Sequence, residues 1–198
     1  MKRIAVLVSG GGTNLQALID AETNGILTSG RIVTVISNKP GVYALERARK
    51  HQIPTKVITK KEFHGDSDAF NQALLDYLNQ ERIDLVILAG FLAILSPKLT
   101  KAYENRIINV HPSLIPSFCG DGFYGLRVHQ AALDYGVKVT GATIHFVNEV
   151  TDGGRIILQK AVEILPDDTA ETLQKRVMEE AEWKLLPQAA ELFCSGQL

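Results

Sequence analysis

The chain has 198 residues, a length that suits one domain with a sizeable core. Its 21 basic and 22 acidic side chains leave a net charge of −1, which excludes a general attraction to nucleic acid. Cys119 and Cys194 are too few and too far apart for a disulfide framework or a zinc motif. The sequence has neither a membrane-spanning apolar run nor a signal peptide, which predicts a cytoplasmic protein without membrane partners.

The first half of the chain alternates apolar runs with amphipathic segments. Continuous apolar runs such as IAVLV are typical of strands that are buried on both faces. We predict five strands, at Ile4–Val8, Ile32–Ile36, Thr55–Ile58, Ile83–Leu88 and Arg106–Val110. Helical spacing predicts helices over 13–23, 41–51 and 66–81. The alternation predicts an α/β fold, an open, mostly parallel Rossmann-like sheet with helices on both faces.

The pattern changes after His111. The segment 112–125, PSLIPSFCGDGFYG, predicts a loop, and its tight SLIPS stretch favours a cis bond at Ile115–Pro116. A helix is predicted over 126–135. Two strands follow, at Val139–Val147 and Arg155–Ile164, joined by the turn NEVTDGG. A short glycine-rich link predicts an antiparallel pair, so we expect a C-terminal antiparallel extension of the sheet.

The end of the chain predicts one long helix over 169–195, with Thr169 and Thr172 at its N-terminal cap. The sequence contains no internal repeat, low-complexity tract or linker-like stretch. We therefore predict a single domain over 1–198.

The stretch VSGGGTNL, Val8–Leu15, has the form of a phosphate loop, because N–H groups and the positive end of a helix favour an anion there. The dinucleotide pattern G-x-G-x-x-G fails, since Leu15 stands at the third glycine. Asn38 and Lys39 stand where the acidic ribose partner belongs, and no Gly-Lys-Ser/Thr of a Walker motif follows. The loop favours a small phosphorylated metabolite, and the alternative is a tight turn without a ligand.

The stretch NVHPS places Asn109 and His111 at the end of a predicted parallel strand. Strand geometry points both side chains to one side, at the sheet edge where α/β proteins bind ligands. His111 is a candidate general acid/base, and Asn109 is a neutral donor for a developing oxyanion. Asp152 orients His111 only if the fold brings them together. Otherwise Asp152 belongs to its turn alone, and His111 is structural or merely exposed.

The sequence offers no convincing protein nucleophile, since Ser113 and Cys119 lack the motifs that activate such residues. Direct attack by a substrate amine on an acyl carbon needs none, so the candidate residues suit acyl transfer between two small molecules. A metal site is disfavoured, because His111, His129 and His145 lack paired ligand spacing.

Five longer stretches occur in order: SGGGTNLQALI, LAGFLAILSP, NVHPSLIPSF, TGATIHFVNEVTDGGRIILQ and EEAEWKLLP. Together they resemble the phosphoribosylglycinamide formyltransferases, folate-dependent enzymes of purine synthesis, over nearly the whole chain. The resemblance implies formyl transfer from 10-formyltetrahydrofolate to the amine of 5-phosphoribosylglycinamide, without a metal. It also implies a phosphate-binding half, 1–105, and a catalytic and folate-binding half, 106–198.

The resemblance implies roles for individual residues. The catalytic residues would be Asn109, His111 and Asp152. The ribose phosphate would bind at Gly12, Thr13 and Asn14, and Glu182 would contact the amine or ribose end of the same substrate. The folate would contact Asn109 and the backbone groups of two segments. The first segment consists of Leu92, Ala93, Ile94 and Leu95, and the second of Asn148, Glu149, Val150, Thr151 and Asp152.

The chain departs from the family pattern at four places, one of which is the longer loop GDGFYGLRVH, a variant lid. Ala93 stands where an arginine is common, and EFHGDSDAF lacks a second common arginine. Both places border the expected path of the folate glutamate tail, for which Lys60 or Lys61 is a candidate replacement. Trp183 replaces a histidine that usually follows the family glutamate, either as a core aromatic or as a wall of the substrate site.

Three other functions remain as alternatives. A formyltetrahydrofolate deformylase uses the same cosubstrate, but it is expected to carry an N-terminal regulatory domain and needs no phosphate loop. A tRNA formyltransferase is expected to carry a C-terminal nucleic-acid domain and a basic surface. A nucleotide-binding regulatory module explains the glycine-rich loop but not Asn109, His111 and Asp152. We expect a monomer or a weak homodimer.

Overall fold

A seven-stranded sheet runs through the protein, whose computed structural model describes residues 1–198. The strands are β1 (Lys2–Val8), β2 (Gly30–Ser37), β3 (Thr55–Val57), β4 (Leu85–Leu88), β5 (Ile107–His111), β6 (Val139–Phe146) and β7 (Ile156–Glu163). Their order across the sheet is β3-β2-β1-β4-β5-β6-β7. Strands β1 to β5 are parallel, while β6 is antiparallel to both β5 and β7. The predicted mostly parallel sheet with an antiparallel C-terminal extension is confirmed.

Seven α-helices accompany the sheet: α1 (Thr13–Thr23), α2 (Tyr43–Lys50), α3 (Ser67–Gln80), α4 (Pro97–Ala102), α5 (Leu126–Tyr135), α6 (Ala170–Val177) and α7 (Trp183–Cys194). A 3₁₀ turn covers Lys60–Phe63. Thr169 and Thr172 cap α6 reciprocally, as predicted. None of these helices combines the length and the hydropathy that crossing a membrane requires.

Two features of the helices differ from the prediction. The single helix predicted over 169–195 is interrupted by a π turn at Met178–Glu182. Hydrophobic periodicity does not reveal this turn, because it adds only one residue and the chain is helical on both sides of it. Helix α4 was not predicted, since its six residues are too few to show a period. Its start is nevertheless marked locally, by Ser96 as the N-cap and Pro97 in the first turn.

The sheet is buried on both faces. In β1, Ile4, Val6 and Val8 belong to one core cluster, which also contains side chains of α1, α2, α6 and α7. The alternate residues Ala5 and Leu7 belong to a second cluster, which contains side chains of α3 and α4. The continuous apolar run of β1 therefore serves both layers, and the predicted helices on both faces are confirmed.

The carboxyl ends of three neighbouring strands meet at one edge of the sheet. Leu88 of β4 pairs with Leu7 of β1 on one side and with Asn109 of β5 on the other. Ser9, directly after β1, joins the segments that follow β2 and β4. Its hydroxyl donates to Asn38 Oδ1 at 2.6 Å and accepts from the N–H of Leu92 at 2.8 Å. This edge is where open α/β sheets bind ligands.

Candidate active site

The glycine-rich loop ends at Gly12, which is the N-cap of α1. Gly12 has φ 74° and ψ 34°, a left-handed conformation that glycine adopts without strain. A Cβ there would lie 2.6 Å from Ala44 Cβ, so a side chain is excluded as well. No side chain caps α1, which leaves the N–H groups of its first turn, including those of Thr13 and Asn14, without an intrahelical acceptor. The loop therefore presents donors and a positive helix end to an anion.

Asn14 and Glu182, both predicted substrate residues, are in contact. Asn14 Nδ2 donates to Glu182 Oε2 at 2.7 Å. Burial raises the pKa of Glu182 to about 7, although the hydrogen bond from Asn14 acts in the opposite direction. Asn14 Oδ1 is buried without a partner, and Thr13 Oγ1 lies 3.5 Å from Met178 Sδ. The start of α1 therefore contacts the π turn, and Asn14 Oδ1 is left as an acceptor without a donor.

The fold brings Asp152 to His111, the condition on which its predicted role depends. Asp152 Oδ2 lies 3.5 Å from His111 Nδ1 and accepts the N–H of Gly120 at 2.9 Å. Asp152 has φ 53°, a left-handed conformation that aspartate tolerates better than most residues. Gly154 closes the turn against β6, because a Cβ there would lie 1.7 Å from the carbonyl oxygen of Phe146. The turn conformation therefore places the carboxylate.

The second ring nitrogen of His111 is also occupied. His111 Nε2 lies 2.9 Å from the carbonyl oxygen of Phe118, in the loop after β5. A carbonyl oxygen can only accept, so Nε2 carries the hydrogen and Nδ1 faces Asp152. When Nδ1 is protonated too, both N–H groups of the imidazolium have acceptors.

Asn109 contacts His145, a residue that the sequence did not identify as part of the site. Asn109 Nδ2 lies 3.0 Å from His145 Nε2, because Asn109 and His145 are register partners on β5 and β6. His145 Nδ1 donates to the Phe146 carbonyl at 2.8 Å, and burial lowers the pKa of His145. The neutral ring therefore accepts from Asn109 at Nε2, which leaves the second amide hydrogen of Asn109 free. Asp152 Oδ1 lies 3.7 Å from His145 Nε2, without an ion pair to a neutral ring.

His129, on α5, is fully buried, and neither ring nitrogen has a hydrogen-bond partner. Burial and the neighbouring His111 lower the pKa of His129 to about 4, so it is neutral at physiological pH. The structure contains no group of three His, Cys, Asp or Glu side chains arranged to hold a metal ion.

Exposed apolar side chains lie on the two segments that the family resemblance assigns to the folate. Leu92 and Ile94 follow β4 and are 55% and 75% exposed, while Ala93 and Leu95 pack against the second core cluster. Val150, in the turn before Asp152, is 59% exposed. Exposed large apolar side chains are candidates for contact with a ligand. The turn itself is held by Asn148, Glu149 is exposed, and Thr151 donates to Asp121.

Two further expectations have outcomes in the structure, whereas the role of Lys60 or Lys61 in binding the folate tail stays a prediction. The Ile115–Pro116 bond is cis, as predicted. Lys60 and Lys61 lie on the 3₁₀ turn. Trp183 is half-buried and lines a groove of about 450 Å³ between α1 and α7, which it shares with Thr13 of the predicted substrate residues. Trp183 is therefore a groove wall beside the loop rather than a core aromatic.

Comparison with known proteins identifies the family of the chain. The Formyl transferase family matches residues 2–190. The chain belongs to this family. The formyl transferase match covers both the glycine-rich loop and the Asn109, His111 and Asp152 positions.

Individual members of the family are similar over the full chain. The phosphoribosylglycinamide formyltransferase of Haemophilus influenzae is 42% identical over 198 residues, which cover 100% of this chain and 90% of that protein. The trifunctional purine biosynthetic protein adenosine-3 of Gallus gallus is 45% identical over 194 residues, which cover 98% of this chain and 18% of that longer protein. The crystal structure of glycinamide ribonucleotide transformylase 1 from Symbiobacterium toebii matches with a TM-score of 0.93 at 42% identity, covering 100% of this chain and 90% of that one.

Proposed function

We propose that the protein transfers the formyl group of 10-formyltetrahydrofolate to the amine of 5-phosphoribosylglycinamide, a step of de novo purine biosynthesis. The products are the N-formyl compound and tetrahydrofolate. The observation that carries this proposal is the approach of Asp152 to His111 beside Asn109, at the sheet edge that also holds the glycine-rich loop. The similarity to phosphoribosylglycinamide formyltransferase from Haemophilus influenzae supports it.

The phosphorylated substrate binds at the start of α1. The N–H groups of Gly12, Thr13 and Asn14 receive the ribose phosphate, since this helix end has no side-chain cap. Asn14 and Glu182 contact the rest of the substrate, and the unpartnered Asn14 Oδ1 is the acceptor available for one of its donors. The pairing thus orients a ligand whose amine lies far from its phosphate.

The pterin of the folate binds between two segments that carry exposed apolar side chains. Leu92, Ala93, Ile94 and Leu95 form one side, and the turn of Asn148, Glu149, Val150, Thr151 and Asp152 forms the other. The exposed side chains of Leu92, Ile94 and Val150 support this placement, because covering them removes apolar surface from water. Asn109, which lies two residues before His111 on β5, contacts the formyl end.

The reaction needs no protein nucleophile. The substrate amine attacks the formyl carbon, a C–N bond forms, and the carbonyl oxygen becomes an oxyanion. The free amide hydrogen of Asn109 and the protonated His111 stabilise this oxyanion, while Asp152 favours the imidazolium. The bond from the formyl carbon to the folate nitrogen then breaks. That nitrogen gains a proton, and the attacking amine loses one.

The Phe118 carbonyl must leave His111 before this step. It occupies Nε2, and Asp152 occupies the side of Nδ1. An oxyanion that accepts from Nε2 therefore replaces Phe118. The loop 112–125 consequently has to shift when the substrates bind.

We also propose that residues 1–198 form a single domain, with a phosphate-binding half, 1–105, and a catalytic and folate-binding half, 106–198. The enzyme is cytoplasmic and acts as a monomer or a weak homodimer on small molecules, without nucleic-acid or membrane partners. The free thiols of Cys119 and Cys194 fit a reducing compartment. Sedimentation over a range of concentrations tests the assembly state, and a stable trimer or larger species contradicts it.

The decisive assay mixes the protein with 10-formyltetrahydrofolate and 5-phosphoribosylglycinamide and follows folate absorbance together with product mass. Formylated product at the rate of folate turnover supports the proposal. Formate without formylated product identifies a deformylase instead. No turnover, with binding of nucleotide alone, identifies a regulatory module.

A further inference from the structure

Helix α2 holds both carbonyl groups at the centre of the glycine-rich loop. The N–H of Ala44 donates to the Gly10 carbonyl at 3.1 Å. Arg47 Nε donates to the Gly11 carbonyl at 2.9 Å. Carbonyl oxygens repel a phosphate, so turning both of them toward α2 removes an unfavourable interaction from the anion site.

The same contacts set the direction of the N–H donors. In a trans peptide the C=O and N–H groups point in opposite directions. With the Gly11 carbonyl held by Arg47, the N–H of Gly12 points away from α2. The close packing of Gly12 on Ala44 keeps the loop in this position. Arg47 therefore acts on the loop donor that is proposed to bind the phosphate.

Arg47 is itself held in place by its surroundings. Its Nη1 donates to Gln16 Oε1 on α1 at 3.1 Å, and its guanidinium lies 4.8 Å from the centre of the Tyr43 ring. Arg47 is half-buried and forms no ion pair, whereas Arg49 is exposed and pairs with Glu46. The charge of Arg47 is thus uncompensated beside the loop, where it favours an anion.

We propose that Arg47 is a positioning residue for phosphate recognition. It orients the Gly11–Gly12 peptide, and its positive charge favours an anion at the loop. This inference rests on the proposed function, in which the loop binds the ribose phosphate. It extends that function to a residue outside the loop and predicts selectivity for the phosphorylated over the dephosphorylated substrate.

The test compares Arg47→Met, which keeps the side-chain stem, with Arg47→Lys, which keeps the charge, and with Arg49→Met as the matched control. Kinetics are measured on 5-phosphoribosylglycinamide and on the same compound without its phosphate. Arg47→Met is expected to raise KM for the phosphorylated substrate by about tenfold, as for a lost charged hydrogen bond. Its kcat, its KM for the folate and its kcat/KM on the dephosphorylated compound stay unchanged. Arg47→Lys has an intermediate KM, and Arg49→Met matches the parent.

Equal losses on both substrates, or no loss on either, overturn the inference. Calorimetric binding of ribose 5-phosphate supplies a readout that does not need turnover, with an expected tenfold weaker Kd in folded Arg47→Met. If the parent binds this phosphate but does not formylate, the proposed function fails while the role of Arg47 is still decided. If Arg47→Met does not fold, the Kd of Arg47→Lys decides, and a value equal to that of the parent contradicts the peptide-orienting role.

Discussion

His111 Nε2 lies 2.9 Å from the carbonyl oxygen of Phe118, so the loop after β5 occupies the ring nitrogen that would face an oxyanion. Phe118 has φ 49°, and its ring packs edge-on against Phe123 and Tyr135. These ring contacts hold the loop in place. The proposed mechanism requires one acceptor to replace another at Nε2, while Asp152 stays on the opposite side of the ring.

Replacement of His111 by asparagine is expected to lower kcat by about 10²- to 10⁴-fold, the range for loss of a general acid or base. The KM values change little, because the histidine acts on the tetrahedral intermediate. Initial rates of folate turnover measure the effect. His64→Asn is the matched control, since His64 is exposed and asparagine tolerates its left-handed backbone. Unchanged kcat in His111→Asn contradicts the mechanism.

Asp152→Asn is expected to move the alkaline limb of the pH–rate profile to lower pH, because the proposed mechanism uses the protonated form of His111. A carboxylate 3.5 Å from His111 Nδ1 favours the protonated ring, so its removal makes protonation harder. The profile of kcat/KM measures the midpoint. Asp167→Asn removes an exposed carboxylate and serves as the control. An unmoved midpoint in Asp152→Asn indicates that the two groups are uncoupled.

Asn109→Ala is expected to lower kcat by about 10²- to 10³-fold, as for loss of one oxyanion donor. His145→Phe removes the acceptor that orients the Asn109 amide, so it lowers kcat as well. Because both act through one donor, the double variant is expected to be no slower than Asn109→Ala alone. Multiplicative losses in this double-mutant cycle would show that His145 acts independently. His145→Gln, which keeps an acceptor, is expected to recover part of the rate.

Glu182 is expected to make folding stability depend on pH. Its folded pKa is about 7 against an ordinary value of 4.5, so the folded state binds the proton more tightly than the unfolded state. The contribution of protonated Glu182 to the free energy of unfolding is fully present below pH 4.5 and is lost as pH rises through 7. The free energy of unfolding changes by about 3 kcal/mol over this range. Chemical denaturation at both ends of this range measures it. Glu182→Gln is expected to remove the dependence, whereas the exposed Glu180→Gln retains it.

Much of the local structure followed from the sequence. The predicted helices over 13–23 and 126–135 have the observed bounds of α1 and α5, because their apolar residues repeat with the helical period. The role of His145 did not follow. The turn NEVTDGG indicated that β6 pairs with β7, but no local pattern indicated that β6 also pairs with β5. The register that sets His145 beside Asn109 is a property of the assembled sheet.

The sequence by itself determined the strands, the glycine-rich loop and the residue types at the candidate site, since these depend on neighbours a few positions apart. It also carried the family resemblance. The tertiary structure alone decided which side chains meet. Asn14 reaches Glu182 across 168 residues, and Asp152 reaches His111 only through a turn with a left-handed backbone. Such contacts depend on how α1, the π turn and the sheet edge pack together. This packing involves residues far apart in the sequence, so a local periodic pattern does not reveal it.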